Sequence, residues 1–148
     1  VEPTHPDFGF YGIHGVETLY TLLGTGCEAV SRIHSPMGDI VSGRWNDGRL
    51  GTFRAVVKGP AVYGGTAFTE KGTVAAGGYA GYKVLLDEIL RYFKSGASPV
   101  SKEETLEIFT FMKASNMSLE CGGRTVMMDE AYAEGMKEAR RLLEAYDE

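Results

Sequence analysis

Asp39-Ile-Val-Ser-Gly-Arg-Trp-Asn-Asp-Gly-Arg-Leu-Gly-Thr-Phe-Arg-Ala-Val-Val57 is the stretch that decides the fold. Asp47-Gly48 at its centre is a pair favoured in tight primed hairpin turns, so the spacing predicts strands over Asp39–Asn46 and Arg49–Val57. In the second strand Phe53, Ala55 and Val57 share one face, while Thr52 and Arg54 take the other. Period two with a single apolar face means a sheet covered on one side only.

Upstream, Pro36 and Gly38 break the chain, and Cys27 to His34 alternates. Cys27, Ala29, Ser31 and Ile33 fall on one side, with Glu28, Arg32 and His34 among those on the other. Before that, His14–Leu23 reads as a helix, with Val16, Leu19, Tyr20 and Leu23 as its stripe and Gly24 and Gly26 as its stop. Downstream of Gly59-Pro60, Ala61–Thr69 and Thr73–Ala76 read as short strands separated by Lys71-Gly72. No crossover helix interrupts this run, so the pairing is expected to be antiparallel.

From Tyr82 the period becomes helical through Leu85, Leu86, Ile89, Leu90 and Phe93, closed by Gly96. Ser101-Lys-Glu-Glu104 fits a capping box, and Leu106, Phe109, Phe111 and Met112 follow as an expected buried stripe. After Gly122-Gly123 a short strand is expected over Thr125–Met128. A final helix runs over Asp129–Glu148, striped by Tyr132, Met136, Ala139 and Leu143. The expectation is one α+β domain over residues 1–148: a large, mainly antiparallel open sheet with helices packed on one face. The other face, expected to carry Trp45, must then meet water, a ligand or another subunit.

The 148 residues carry a net charge of −5, with 43% hydrophobic and 24% charged residues. That balance excludes a strongly basic nucleic-acid binder and offers no polybasic patch for an anionic membrane. No apolar run approaches the roughly 18 residues of a membrane span. Cys27 and Cys121 lack ligand spacing to another Cys or a His, so they read as small buried apolar residues compatible with a reducing cytoplasm. The chain opens on Val1 in a loop-like stretch, which reads as a start inside something larger.

Leu22-Leu23-Gly24-Thr25-Gly26-Cys27-Glu28-Ala29 has the shape of a dinucleotide fingerprint, but that motif needs a strand before it and a helix after it. Here the order is reversed, so the glycines read as a helix cap. No phosphate loop, zincin or hydrolase-elbow motif occurs. Of three histidines, His5 and His34 read as solvated. His14 sits at a helix start between Gly12 and Gly15, beside Tyr11 and one turn from Glu17. A helix N-terminus favours neutral imidazole, which can accept a hydroxyl proton. On pattern alone a packed or capping histidine is the simpler reading.

Four blocks then follow in order: Tyr11-Gly-Ile-His-Gly-Val-Glu-Thr-Leu-Tyr20, Gly43-Arg-Trp-Asn-Asp-Gly-Arg-Leu-Gly-Thr-Phe-Arg54, Pro99-Val-Ser-Lys-Glu-Glu-Thr-Leu-Glu-Ile108 and Gly122-Gly-Arg-Thr-Val126. Together they resemble the C-terminal domain of the Gfo/Idh/MocA oxidoreductases, the glucose–fructose oxidoreductase and inositol dehydrogenase family. The resemblance implies a substrate-binding and oligomerisation domain that closes a sugar or polyol site. An N-terminal Rossmann domain, absent from these residues, would bind NAD or NADP and carry the Glu-Lys-Pro lysine. No cofactor or metal is then expected on this chain, which would be inactive alone and cytoplasmic.

The resemblance puts His14 on the histidine of an Asp-x-x-x-His motif, as acid/base. Phe10 stands where the aspartate belongs. Tyr11 and Glu17 are candidates for the substrate pocket wall by proximity. The open sheet face is the expected surface for homo-oligomers. Two alternatives stand beside this: a non-catalytic self-associating or partner-binding module, and part of an NAD-dependent glycosidase.

Overall fold

The computed structural model describes residues 8–57, 64–76, 78 and 81–146. Ten elements follow in order: α1 (Phe8–Leu23), β1 (Cys27–Ser35), β2 (Gly38–Trp45), β3 (Leu50–Val56), β4 (Gly65–Thr69), β5 (Gly72–Ala76), α2 (Lys83–Ser95), α3 (Lys102–Glu120), β6 (Val126–Met127) and α4 (Met128–Tyr146). The main sheet has the order β3-β2-β1-β6, and β4 pairs with β5 separately. Every pairing is antiparallel. This is an α+β arrangement with an open sheet, as the period-two strands required. His5 and residues 61–63 of the expected fourth strand lie outside the described residues.

Local chemistry sets the boundaries. The α1 helix ends at Gly24, whose left-handed backbone lets its amide donate to the Tyr20 carbonyl at 2.7 Å. Ser101 caps α3, its Oγ accepting from the Glu104 amide at 3.0 Å. At the β2–β3 turn the Gly48 amide donates to the Trp45 carbonyl at 2.9 Å, which makes Asn46 and Asp47 the central pair. Neither has positive φ, so the turn is not the primed Asp47-Gly48 turn expected, and Gly48 follows it alone in the left-handed region (φ 88°).

Packing departs from the sequence patterns in four places. Pairing shifts between Cys27 and Ala29, so a bulge inserts one residue into β1. Cys27 and Val30 therefore both join the core, and Arg32 joins them on the helix-covered side, while Ile33 is left on the open face. Trp45 is not on the open face: it is fully buried, with its Nε1 donating to the Gly24 carbonyl at 2.8 Å. Its ring packs against Tyr20 (centroids 5.8 Å apart) and Phe111 (6.5 Å). A Cβ on Gly43 would lie 2.8 Å from atoms of both Trp45 and Phe111, so only glycine leaves space for that trio.

The third departure is in the helices. Ile108, Phe111 and Met112 are buried on α3, but Leu106 and Phe109 are exposed. The buried face of α4 reduces to Met128 and Ala131, leaving Tyr132, Met136 and Leu143 exposed. In α2 nothing is buried, and its whole stripe from Leu85 to Phe93 faces outward. A four-stranded sheet has room for α1 and α3 on one face, so the α2 stripe is left uncovered, while Leu106 and Phe109 of α3 share a shallow groove with Tyr132 and Met136 of α4. No described helix is long and apolar enough to cross a membrane.

The cysteines are the fourth. Cys27 is buried as expected, whereas Cys121, just past the end of α3, is exposed. Burial pushes the Cys27 thiol up to about 12, with the Glu107 carboxylate adding to the shift. Burial raises the Tyr20 phenol too. Unfolding lets both groups ionise nearer their ordinary values, so stability is full below roughly pH 8.5 and falls as pH rises above it. Urea midpoints at pH 8, 9.5 and 10.5 should decline, and the Cys27→Ala decline should be shallower. Equal slopes for both proteins would remove Cys27 from this account.

Candidate functional site

The α1 helix carries the expected site residues, but it begins at Phe8, so His14 lies nearly two turns inside it and not at its start, and no helix N-terminus acts on its ring. The helix's seat on the sheet dictates where those residues project. Val16 and Tyr20 are buried beneath it. Gly15 faces Phe53 so closely that a Cβ there would lie 2.0 Å from the ring. Gly15→Ala must displace the ring or the helix, costing about 1–3 kcal/mol, less the gain of under about 1 kcal/mol from a better helix former. A lowered melting temperature checks this; an unchanged or raised one would contradict the packing.

A second anchor holds the helix's C-terminal end. The Glu107 carboxylate of α3 accepts from the Gly26 amide at 2.8 Å, the Cys27 amide at 2.8 Å and the Tyr20 hydroxyl at 3.1 Å. These bonds occupy the very amides that a dinucleotide pyrophosphate would need. The Gly24–Gly26 turn, with a helix before it and β1 after it, therefore does not fit NAD or NADP. Among the described residues no cluster of three or more His, Cys, Asp or Glu could hold a metal ion.

With Gly15 and Val16 turned inward, His14 and Glu17 project outward, each about half exposed. His14 Nδ1 lies 3.2 Å from Glu17 Oε2, and the Tyr11 ring meets the imidazole edge-on with centroids 5.7 Å apart. The fold thus brings all three predicted site residues together. It gives Glu17 a specific partner that sequence spacing alone left open. A carboxylate accepting from Nδ1–H leaves the lone pair on Nε2, the arrangement a general base needs.

Next to this triad a cleft of about 290 Å³ opens between α1, the edge of β3 and the start of β4. Thr18 and Leu19 of α1, Phe53 and Arg54 of β3, and Gly65 and Thr66 of β4 line it, whereas Tyr11, His14 and Glu17 do not; their helix reaches it through Gly15 and Thr18. Thr18 Oγ1 also donates to the His14 carbonyl at 2.8 Å, tying the cleft wall to the histidine's turn. The sequence reading missed this cleft. Its only local trace is the polar alternation of Thr52 and Arg54 on an edge strand.

His34, read as solvated, is half exposed but hydrogen-bonded. Its Nδ1 lies 3.0 Å from Oδ1 of Asp39, which is buried. The same oxygen accepts from Arg32 Nε at 2.7 Å. Arg32 is itself buried, donates to Asn116 Oδ1 at 2.9 Å and stacks over Phe8 at 4.1 Å from the ring centre. These contacts tie β1, β2, α3 and the start of α1 together at one end of the sheet.

The fold and site define an α+β domain with a polar triad beside an edge cleft and no nucleotide cradle among the described residues. The same fold occurs in the crystal structure of a protein from Desulfitobacterium hafniense assigned as an NADPH-dependent oxidoreductase. The two share a TM-score of 0.64 at 15% sequence identity, over 82% of this chain and 47% of that one. This chain therefore has the fold of somewhat less than half of that protein. No family model matches the sequence, and no curated protein is similar to it.

Proposed function

We propose that this chain is the substrate-binding and self-associating domain of an NAD(P)-dependent oxidoreductase of the Gfo/Idh/MocA kind, acting on a sugar or polyol in the cytoplasm. The observation that carries the reading is the fold shared with an oxidoreductase together with His14, exposed on the helix whose Gly15 and Thr18 line a ring-sized cleft. The order and spacing of the four sequence blocks support the same family. In this reading His14 removes the proton from a substrate hydroxyl at Nε2. Glu17 holds the opposite nitrogen and replaces the aspartate missing at Phe10, and Tyr11 closes one wall. NAD or NADP binds a separate domain, since the Gly24–Gly26 amides are already taken.

Self-association is supported by the open sheet face. Ile33, Ile40, Leu50 and Val56 all project from it without cover, and contiguous apolar patches on monomers are uncommon. A second reading, a non-catalytic partner-binding module, is favoured by the fully uncovered stripe of α2. Two measurements test the proposal. The 148-residue chain alone, given NAD or NADP with sugars, should show no turnover; turnover would place the cofactor site within it. Light scattering should give a mass above that of the 16.1 kDa chain. A strictly monomeric mass at high concentration would remove the self-association.

A further inference from the structure

We propose that the cleft between α1, β3 and β4 selects a ligand bearing an anionic group, a carboxylate or a phosphate, through Arg54. This rests on the sugar or polyol reading above and narrows its substrate class.

Four arginines border the main sheet, and three of them hold a carboxylate. Arg32 pairs with Asp39 at 2.7 Å, Arg44 with Glu28 at 3.6 Å and Arg49 with Asp47 at 2.7 Å. Arg54 has no such partner among the described residues. Its cross-strand neighbour is Ile40, and the next residue in that row is Ile33; Asp39 borders the same end of the sheet, but its carboxylate is already held by Arg32 and His34. It is exposed on the last strand of the sheet and lines the cleft wall. A guanidinium offers a planar fork that meets a carboxylate or phosphate with two parallel bonds.

The rest of the cleft suits a small hydroxylated ring carrying that group. The hydroxyls of Thr52 and Thr66 make no hydrogen bond to any described residue and are available to a ligand. Leu19 and Phe53 supply an apolar wall for a ring face, and Gly64 and Gly65 present bare backbone opposite. The volume of about 290 Å³ is at the lower end for small-molecule pockets, room for one ring rather than a chain. The whole chain carries a net charge of −5, so bulk attraction does not favour anions. Selectivity for one must come from a local cation.

The test titrates the 148-residue chain with glucose, glucuronate and glucose 6-phosphate, read as amide shifts in two-dimensional NMR. At least one anion should bind about tenfold or more tighter than glucose, with shifts gathered at Gly15, Thr18, Thr52–Arg54 and Gly65–Thr66. Which anion gains tells a carboxylate ligand from a phosphate one. Arg54→Gln should remove most of the anion's advantage over glucose measured on the same variant, while Arg54→Lys should keep part of it. Arg54 is exposed, so both variants should retain the wild-type spectrum elsewhere. Equal affinity for all three compounds would overturn the role of Arg54 and spare the sugar reading. Shifts from none of them in the cleft would overturn both. An anion advantage that survives Arg54→Gln would assign it to another cation.

Discussion

Under the oxidoreductase reading proposed above, replacing His14 with Ala is expected to lower kcat by about 10²–10⁴-fold, the usual worth of a positioned general base. The expectation follows from where α1 sits. Gly15 lets the helix lie against Phe53, which turns His14 outward with its Nδ1 against Glu17, next in sequence to the Gly15 that lines the cleft. Glu17→Ala should cost less, because it removes the positioning of the ring and not the ring itself. A structural role for Glu17 would not alter the imidazole tautomer, so nitrogen shifts of His14 separate the two cases. Wild-type protein should favour the Nδ1–H form, and Glu17→Ala should lose that preference. Full turnover in His14→Ala would leave the partner-binding module as the better reading.

Asp39→Ala is expected to destabilise the fold by about 3–5 kcal/mol, because it strands a buried guanidinium without its counter-charge. Arg32 has relative exposure of only 5%, as does Asp39, so water cannot replace the lost carboxylate. For a chain of this length such a loss lowers the melting temperature by about 10 °C. Asp39→Asn keeps an oxygen for Arg32 Nε and should cost less. The decisive protein is the double variant Arg32→Met, Asp39→Ala. With no stranded charge it should recover much of the loss, since buried pairs exchanged for apolar groups are often neutral. If the double variant is as unstable as Asp39→Ala, the loss arises from packing around Asp39 and not from its charge.

The two predictions concern different ends of one helix and sheet. Phe8 begins α1 and stacks on Arg32, while Gly15 and His14 lie two turns further on. Loss of the Arg32–Asp39 pair therefore loosens the start of the helix that presents the histidine. Activity should fall in Asp39→Ala as the helix frays, and lowering the temperature should restore it. His14→Ala should show no such rescue.

Element order and strand direction were determined by the sequence itself, because each depends on neighbours a few residues away. The Asn46–Gly48 segment turns the chain back, Gly24 stops a helix and Ser101 starts one, wherever the rest of the chain lies. Only the tertiary structure decided which faces are covered and what the site residues touch. The bulge after Cys27 moves Arg32 to the covered side of the sheet. Glu107 closes on Gly26 and Tyr20 across more than 80 residues, and Arg32 reaches Asn116 across 84. Arg54 meets the Thr18 wall of the cleft only because β3 packs on α1. Periodicity records that a side chain is apolar or polar, not which distant group will arrive beside it. That is fixed when the layers pack and buried polar atoms must find partners.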